Sequence, residues 1–527
     1  MEKERTLNSK LTPEDFITDP RVLKCVQDLK DQFGEKMERL VVSDTLDKHG
    51  NQYVNLVQKG GGVWGVALVG YTYILEEAGI RFLKLAGTSA GAINTAMLSM
   101  IGEDDMGMNQ KNIHHKSGKK SKLILQYISD LNMFNFVDGH PFAKWAIKNF
   151  ISNKDFTKQL KTAAIWIFGS LISLMFLSVV FLGLSYHYHW AEIAAKLTFV
   201  LTGINVLAII GIGIYLLHIF KRLKGCGYGI NPGKYFYDWI KDKMEENNVN
   251  SISELKGKLA IPIPGLKLRN LNVQGVEGLE GDVTIIASEL VTENKIEFPK
   301  MWNLFKSNPN ELHPARFVRA SMSIPIFFES HMIVNIDREH PVIQAAWKEY
   351  FGIDDIEQIP TDARFVDGGM LSNFPVNIFY NAKIAEPRLP SFGIDLIEVN
   401  EDETSQPESI NSYTWSMGDY FARMLNTMRN YYDKDFMIKN KVYGKGVGQI
   451  NLHGFNWLNF FISDQDKKDM FAKGAQAATE FLKTFNWEEY KEGRIDIYKS
   501  LKVPDKGESR EVVRDALLDD EQTNLLQ

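Results

Sequence analysis

Residues 83–100 read LKLAGTSAGAINTAMLSM, an apolar run leading into Gly87-Thr88-Ser89-Ala90-Gly91 and then into an Ala-rich helical pattern. That order predicts a strand, a sharp turn and a helix. In such a setting GxSxG is a nucleophile elbow: the strained turn pushes the serine oxygen outward, and the flanking glycines permit close backbone approach. The helix that follows adds an electropositive N-terminus.

Just upstream, Gly60-Gly61-Gly62-Val63-Trp64-Gly65 follows the apolar VNLV and precedes a helix-like run, VALVGYTYILEEAG. Glycines there let backbone N–H groups converge on an anion, either a dinucleotide phosphate or the oxyanion of a tetrahedral acyl intermediate. A dinucleotide site would want an acidic residue about 20 positions on to hold the ribose. The chain instead presents the serine elbow there, and no Gly-Lys-Ser/Thr follows to make a P-loop, so context favours an oxyanion hole. Far downstream, ARFVDGGMLSNFPV (363–376) places Asp367 at the end of an apolar run, followed by Gly368 and Gly369.

Together these three segments resemble the patatin-like phospholipase family, which combines a GxGxxG oxyanion loop, a GxSxG serine and the Asp of a DG[GA] motif. The stretches ASELVTEN (287–294) and ARFVRASMSIPIFF (315–328), with Asn373 and Pro375, are also similar to that family. The resemblance covers about residues 52–100 and 230–485. It implies a three-layer α/β fold with a mostly parallel central sheet flanked by helices. It further implies Ser89 as nucleophile, Asp367 as its base, and the N–H groups of Gly61, Gly62 and Ala90 as oxyanion donors. Gly60, Gly62, Gly65, Gly87, Gly91, Gly368 and Gly369 are the motif glycines. Plant members often carry Asp before the triple glycine and a basic residue within the loop. This chain has Lys59 and Trp64 there, so no loop cation is implied for a substrate phosphate. A triad in the order Ser, acid, His also stays open, since His453 in QINLHGFNW follows Asp367.

Two runs interrupt this plan. Thr162 to Ala191 and Leu197 to Phe220 carry no Lys, Arg, Asp or Glu, and each holds the roughly 20 apolar residues that a spanning helix needs. Apolar all round, they read as a transmembrane hairpin with helices at about 162–185 and 197–220, added to the family's core. Lys144, Lys148, Lys154, Lys158 and Lys161 precede it, Lys221, Arg222 and Lys224 follow it, and Lys196 lies between. By the positive-inside rule both flanks, and with them the catalytic domain, should face the cytosol. The connector SYHYHWAEIAA offers interfacial Tyr186, Tyr188 and Trp190, while His187 and His189 alone make a poor metal site.

The expected organisation is an N-terminal helical or extended region (1–50), a first catalytic part (51–150), the hairpin insert (151–229), a second catalytic part (230–490) and a charged tail (491–527). Within the first part, Lys111 to Lys122 reads as a solvated basic loop. The alternation of apolar runs such as 283–287 and 392–399 with helix-like stretches such as 412–432 reads as α/β.

Composition excludes much else. The 527 residues carry 60 Lys plus Arg against 66 Asp plus Glu, a formal net charge of -6, 44% hydrophobic and 12% aromatic residues. Disorder, collagen and disulfide scaffolds are ruled out, and nucleic acid has no electrostatic case. Cys25 and Cys226, far apart, suit a reducing compartment. The mixed-charge N-terminus predicts no cleaved secretory signal and a start in the cytosol. His313, His331 and His340 show no metal-ligand spacing, and neither metal nor cofactor is called for. The expected function is hydrolysis of a lipid acyl ester, phospholipid or lysophospholipid first, at a membrane. Acylglycerol hydrolysis, transacylation and a non-enzymatic membrane module are the alternatives. Oligomeric state stays open.

Overall fold

The computed structural model describes residues 11–102, 119–129, 131–141, 144, 156–225, 227–269, 275–381, 384, 386–399 and 417–501. Most of the expected basic loop, Cys226 and the tail beyond Leu501 lie outside them.

The elements that build the site begin with strand β1 (Gln52–Gln58), helix α1 (Gly65–Glu77), β2 (Ile80–Thr88), α2 (Ala90–Met100) and α3 (Lys120–Ser129). The apolar hairpin is α4 (Phe156–Leu184) and α5 (His189–Gly225). Then come β3 (Asp282–Glu289), β4 (Asn294–Phe298), α6 (Ala315–Ser321), β5 (His331–Ile333), β6 (Ala363–Asp367), β7 (Ser391–Ile397), α7 (Met417–Lys439), β8 (Val447–Asn451) and α8 (Asp464–Thr484). The sheet runs β8-β7-β1-β2-β3-β6-β5, parallel from β8 to β3 and antiparallel beyond, with β4 also on β3. This is a mixed α/β architecture with a central sheet flanked by helices. β1 and β2 are apolar on both faces because both are covered, as parallel strands require.

One register positions the chemistry. Ile286 of β3 pairs with Thr88 of β2, and the next residue, Ala287, pairs with Asp367 of β6. Since β4 occupies the other edge at both residues, β2 and β6 meet end to end along one edge of β3, carboxyl end to carboxyl end. Beneath them α1 and α8 cross with backbones touching. A Cβ on Gly474 would stand 1.9 Å from the Ala67 carbonyl oxygen, and one on Gly70 would stand 2.0 Å from that of Phe471.

The second hairpin helix begins at His189, not near 197. An i,i+4 ion pair of Glu192 with Lys196 (2.7 Å) lets the charged connector continue as helix. Helix α3 likewise starts at Lys120, inside the stretch read as loop, because the buried Glu76 carboxylate accepts the N–H groups of Lys120 (3.1 Å) and Ser121 (2.8 Å). Helix Trp487–Leu501 crosses the boundary expected at 490.

Helices α4 and α5 are long and apolar enough to cross a membrane, and none of either apolar window is buried. They lie against each other, with Asn205 Nδ2 donating to Ser170 Oγ at 2.7 Å. The insert stands on a stitched stem. Asp138 accepts the N–H groups of Gly233 (2.9 Å) and Tyr235 (3.0 Å), and Asn231 Oδ1 accepts that of Gly139 (3.0 Å).

Candidate active site

β2 delivers Ser89 to a left-handed turn, φ 53° and ψ −119°, and α2 starts at the next residue. A serine at such a φ is strained, which is what aims its side chain out of the turn. No Cβ fits at Gly91, where one would stand 2.3 Å from the Gln58 carbonyl oxygen. The Ser89 N–H donates to Ser321 Oγ at 2.9 Å. Gln58 fixes the new helix to β1, its amide bonded to Asn94 (2.6 Å) and Thr95 (3.0 Å).

The triple-glycine loop leaves β1 over this turn. Gly60 N–H donates to the Asn373 carbonyl (3.0 Å) and Val63 N–H to that of Trp457 (3.0 Å). Gly62 has φ +56°, and a Cβ there would stand 2.2 Å from the Trp457 carbonyl oxygen. Gly65 packs against Ala90, so the loop and the elbow share a boundary. The N–H groups of Gly61, Gly62 and Ala90 donate to no acceptor among the described residues. The two loop residues that depart from the plant pattern are structural anchors. Lys59 Nζ pairs with Asp395 (2.6 Å) and the Trp64 indole donates to the Phe455 carbonyl (3.0 Å).

Asp367 ends β6, buried, with its N–H donating to the Ser323 carbonyl at 2.8 Å and its Oδ1 accepting the Gly369 N–H at 2.7 Å. Ser89 lies next to this carboxylate, since Thr88 and Asp367 pair with adjacent residues of β3. Burial pushes the Asp367 carboxyl above its ordinary range, while the nearby Ser89 hydroxyl, the Arg429 charge and the Gly369 N–H pull it down. Gly368 is required by crowding, since a Cβ would meet the Ile286 carbonyl oxygen at 2.1 Å.

His453 sits in an exposed turn after β8, its own N–H donating to Asn451 Oδ1 at 3.1 Å. His313 and His340 accept N–H groups of Ala315 (3.1 Å) and Val342 (3.2 Å) at helix starts, and His331 is half-buried in β5 beside β6, where desolvation pushes its imidazole down to about 3.

Four residues of this neighbourhood were not assigned roles from sequence: Ser321, Asn373, Arg429 and Asp433. Ser321 and Asn373 lie within stretches that resembled the family. Arg429 and Asp433 come from α7, where they look like the polar face of a surface helix.

An apolar pocket adjoins Gly62 and Ala90, walled by Val66, Ile93, Met97, Met133, Met322 and Phe460 among others. Its free volume is about 50 Å³, so a long acyl chain enters only by displacing wall side chains, for which unbranched methionines are well suited. A larger cleft of about 420 Å³, near Lys84, Asp282 and Arg388, holds neither Ser89 nor Asp367.

A serine on a strand-to-helix turn of an α/β sheet, beside a glycine loop and an apolar wall, has the architecture of an acyl hydrolase. The chain belongs to the patatin-like phospholipase family, whose model matches residues 56–157 and 214–380, and it is therefore a lipid hydrolase. The matched residues skip nearly all of α4 and most of α5. The chain is similar to YqhO of Bacillus subtilis (strain 168), described as an uncharacterized protein, with 23% identity over 438 residues, 82% of this chain and 100% of that one. Among solved structures it is similar to VipD from Legionella pneumophila, at 13% identity and a TM-score of 0.30, over 85% of this chain and 70% of that one.

Proposed function

We propose that this chain is a membrane-anchored hydrolase of phospholipid or lysophospholipid carboxylic esters, working through an acyl-serine on Ser89 with Asp367 as base. The observation that carries this reading is the end-to-end meeting of β2 and β6 on β3, which brings Ser89, one residue past Thr88, to the buried Asp367 carboxylate. A serine hydroxyl needs such a partner to be nucleophilic at neutral pH.

As Ser89 Oγ bonds to the ester carbon, its proton passes to Asp367, and the carbonyl oxygen becomes an oxyanion facing the N–H groups of Gly61, Gly62 and Ala90. Collapse breaks the bond to the leaving alkoxide, which takes the proton from Asp367. Water then repeats the sequence: Asp367 receives its proton, the acyl–Oγ bond breaks, and the proton returns to Ser89 as the fatty acid leaves. The raised Asp367 carboxyl makes it a better base than an exposed aspartate.

Anchoring rests on α4 and α5, whose apolar runs are left unburied among the described residues, and on Lys161 at the start of the first apolar run and Lys221, Arg222 and Lys224 at the end of the second. The stitched stem holds both ends of the insert at one place, as a hairpin crossing twice requires. On alkaline carbonate extraction the protein is expected in the membrane pellet, and replacing residues 156–225 by a glycine-serine linker should release it to the supernatant. Release of the intact protein would refute a spanning hairpin.

Trp64, in place of a basic loop residue, favours neutral acylglycerol as a second reading. Fatty-acid release from a mixed phospholipid and triacylglycerol panel decides between them, with Ser89→Ala as the inactive reference. In the same assay His453→Ala should stay within about threefold of wild type, because a dyad does not use it. A loss matching that of Ser89→Ala, with the fold intact, would replace the dyad by a triad.

A further inference from the structure

Arg429 is a cation at this site without an assigned task. It projects from α7, and its Nη2 donates to Asn373 Oδ1 at 2.8 Å. That Nη2 and Asp367 Oδ1 each lie 2.8 Å from the point where a Cβ on Gly369 would stand, so guanidinium and carboxylate flank the same glycine. They form no ion pair, and among the described residues the bond to Asn373 is the only hydrogen bond that Arg429 makes; its Nε is buried without a partner.

The mounting is rigid. Asp433, one turn further along the same face of α7, accepts Ser372 Oγ and the Phe374 N–H, both at 2.8 Å. These residues belong to the segment that begins at Asp367, so α7 is bonded to that segment at two points. Arg429 is only half-buried, and its charge acts on Asp367 without a salt bridge. With one hydrogen bond made, its guanidinium keeps further N–H donors for an anion beside the proposed base.

We propose that Arg429 recognises the substrate's phosphate, selecting esters whose leaving alcohol carries a phosphodiester over neutral acylglycerols. A guanidinium suits this task because its planar fork meets two phosphate oxygens at once. In a glycerophospholipid the phosphate is only a few bonds from the scissile ester, so an arginine beside the base is within reach of it. The loop position that is basic in plant members is Trp64 here, spent on holding Phe455; the cation enters from a different element. The inference rests on the Ser89–Asp367 reading of the site.

The test is kcat/KM for dioleoyl phosphatidylcholine and for dioleoylglycerol, each in the same detergent micelles, with wild type, Arg429→Gln and Arg429→Lys. Loss of the positive charge also shifts how readily Asp367 ionises, but that change acts on both substrates and cancels in their ratio. The phospholipid-to-diacylglycerol ratio is expected to fall at least about tenfold in Arg429→Gln, mainly through KM for the phospholipid, and to recover in part in Arg429→Lys. An unchanged ratio overturns the proposal, whether both rates drop together or neither does. If Arg429→Gln does not fold, the lysine variant carries the comparison, with a smaller fall in the same ratio expected. Failure of the catalytic reading shows separately, as hydrolysis that survives Ser89→Ala. In that event calorimetric binding of dihexanoyl phosphatidylcholine below its micelle concentration decides: at least tenfold weaker binding to Arg429→Gln supports phosphate recognition, and equal binding overturns it.

Discussion

Asp367→Asn is expected to lower lipid hydrolysis by about 10⁴-fold while leaving the protein at least as stable as wild type. Asparagine preserves the size and the acceptor oxygen that Gly369 N–H needs, but it cannot take the Ser89 proton. Ser89→Ala should cost about as much, and the double variant little more, because the two groups act as one unit. The stability half follows from the sign of the shift. Burial raises the carboxyl of Asp367 in the folded protein above its unfolded value of 3.8. The folded state therefore binds the proton better, and its stability declines as pH rises through the folded value. At neutral pH an ionised Asp367 burdens the fold, and a neutral amide removes that burden. Rates and thermal denaturation measured together check both halves. Activity near wild type in Asp367→Asn would mean that another group is the base.

Gly474→Ala should cost about 2–4 kcal/mol of stability, a large effect for one methyl group. The new Cβ would stand 1.9 Å from the Ala67 carbonyl oxygen and 2.8 Å from its carbon, both backbone atoms that no side-chain rotation can move away. The helices must separate, and α1 then shifts at both crossing points, since Gly70 meets Phe471 in the same way. Because α1 begins at Gly65, at the end of the glycine loop, displaced helices should also spoil the oxyanion donors, so the surviving folded fraction should turn over more slowly. Gly203→Ala in α5, where nothing lies within 4 Å of the added atom, is the matched control and should leave melting and activity near wild type. Equal melting temperatures for the two variants would show that the crossing is loose.

What could be read from the chain followed from how local each signal is. Ser89 and the triple-glycine loop sit in strand–turn–helix patterns shorter than 30 residues, where glycine spacing speaks for itself. Asp367 needed its DGG neighbours and the resemblance, since any strand-end aspartate looks alike. The hairpin was visible as two charge-free runs, but its connector was not, because Glu192 and Lys196 mark a loop by composition and a helix by pairing. The segment after 490 looked like a polar tail. Its Arg494 is in fact buried against the rings of Tyr380 and Tyr443, at 5.2 and 4.7 Å, an environment that only distant chain can supply. Arg429 was the least legible of all, since its meaning lies in Asn373, 56 residues away, and in a carboxylate farther still. The end-to-end meeting of β2 and β6 on β3 belongs to the same class: strand order is a long-range fact.

That meeting also sets a clock. The ribosome makes Ser89 on β2 early, then the apolar hairpin, then β3, and only afterwards β6 with Asp367. On the proposed dyad, the nascent chain holds a serine with no proton acceptor until β6 has been translated and docked against Ala287. That dyad would make the chain inert throughout its own delivery, its site assembled only after the hairpin has left the ribosome.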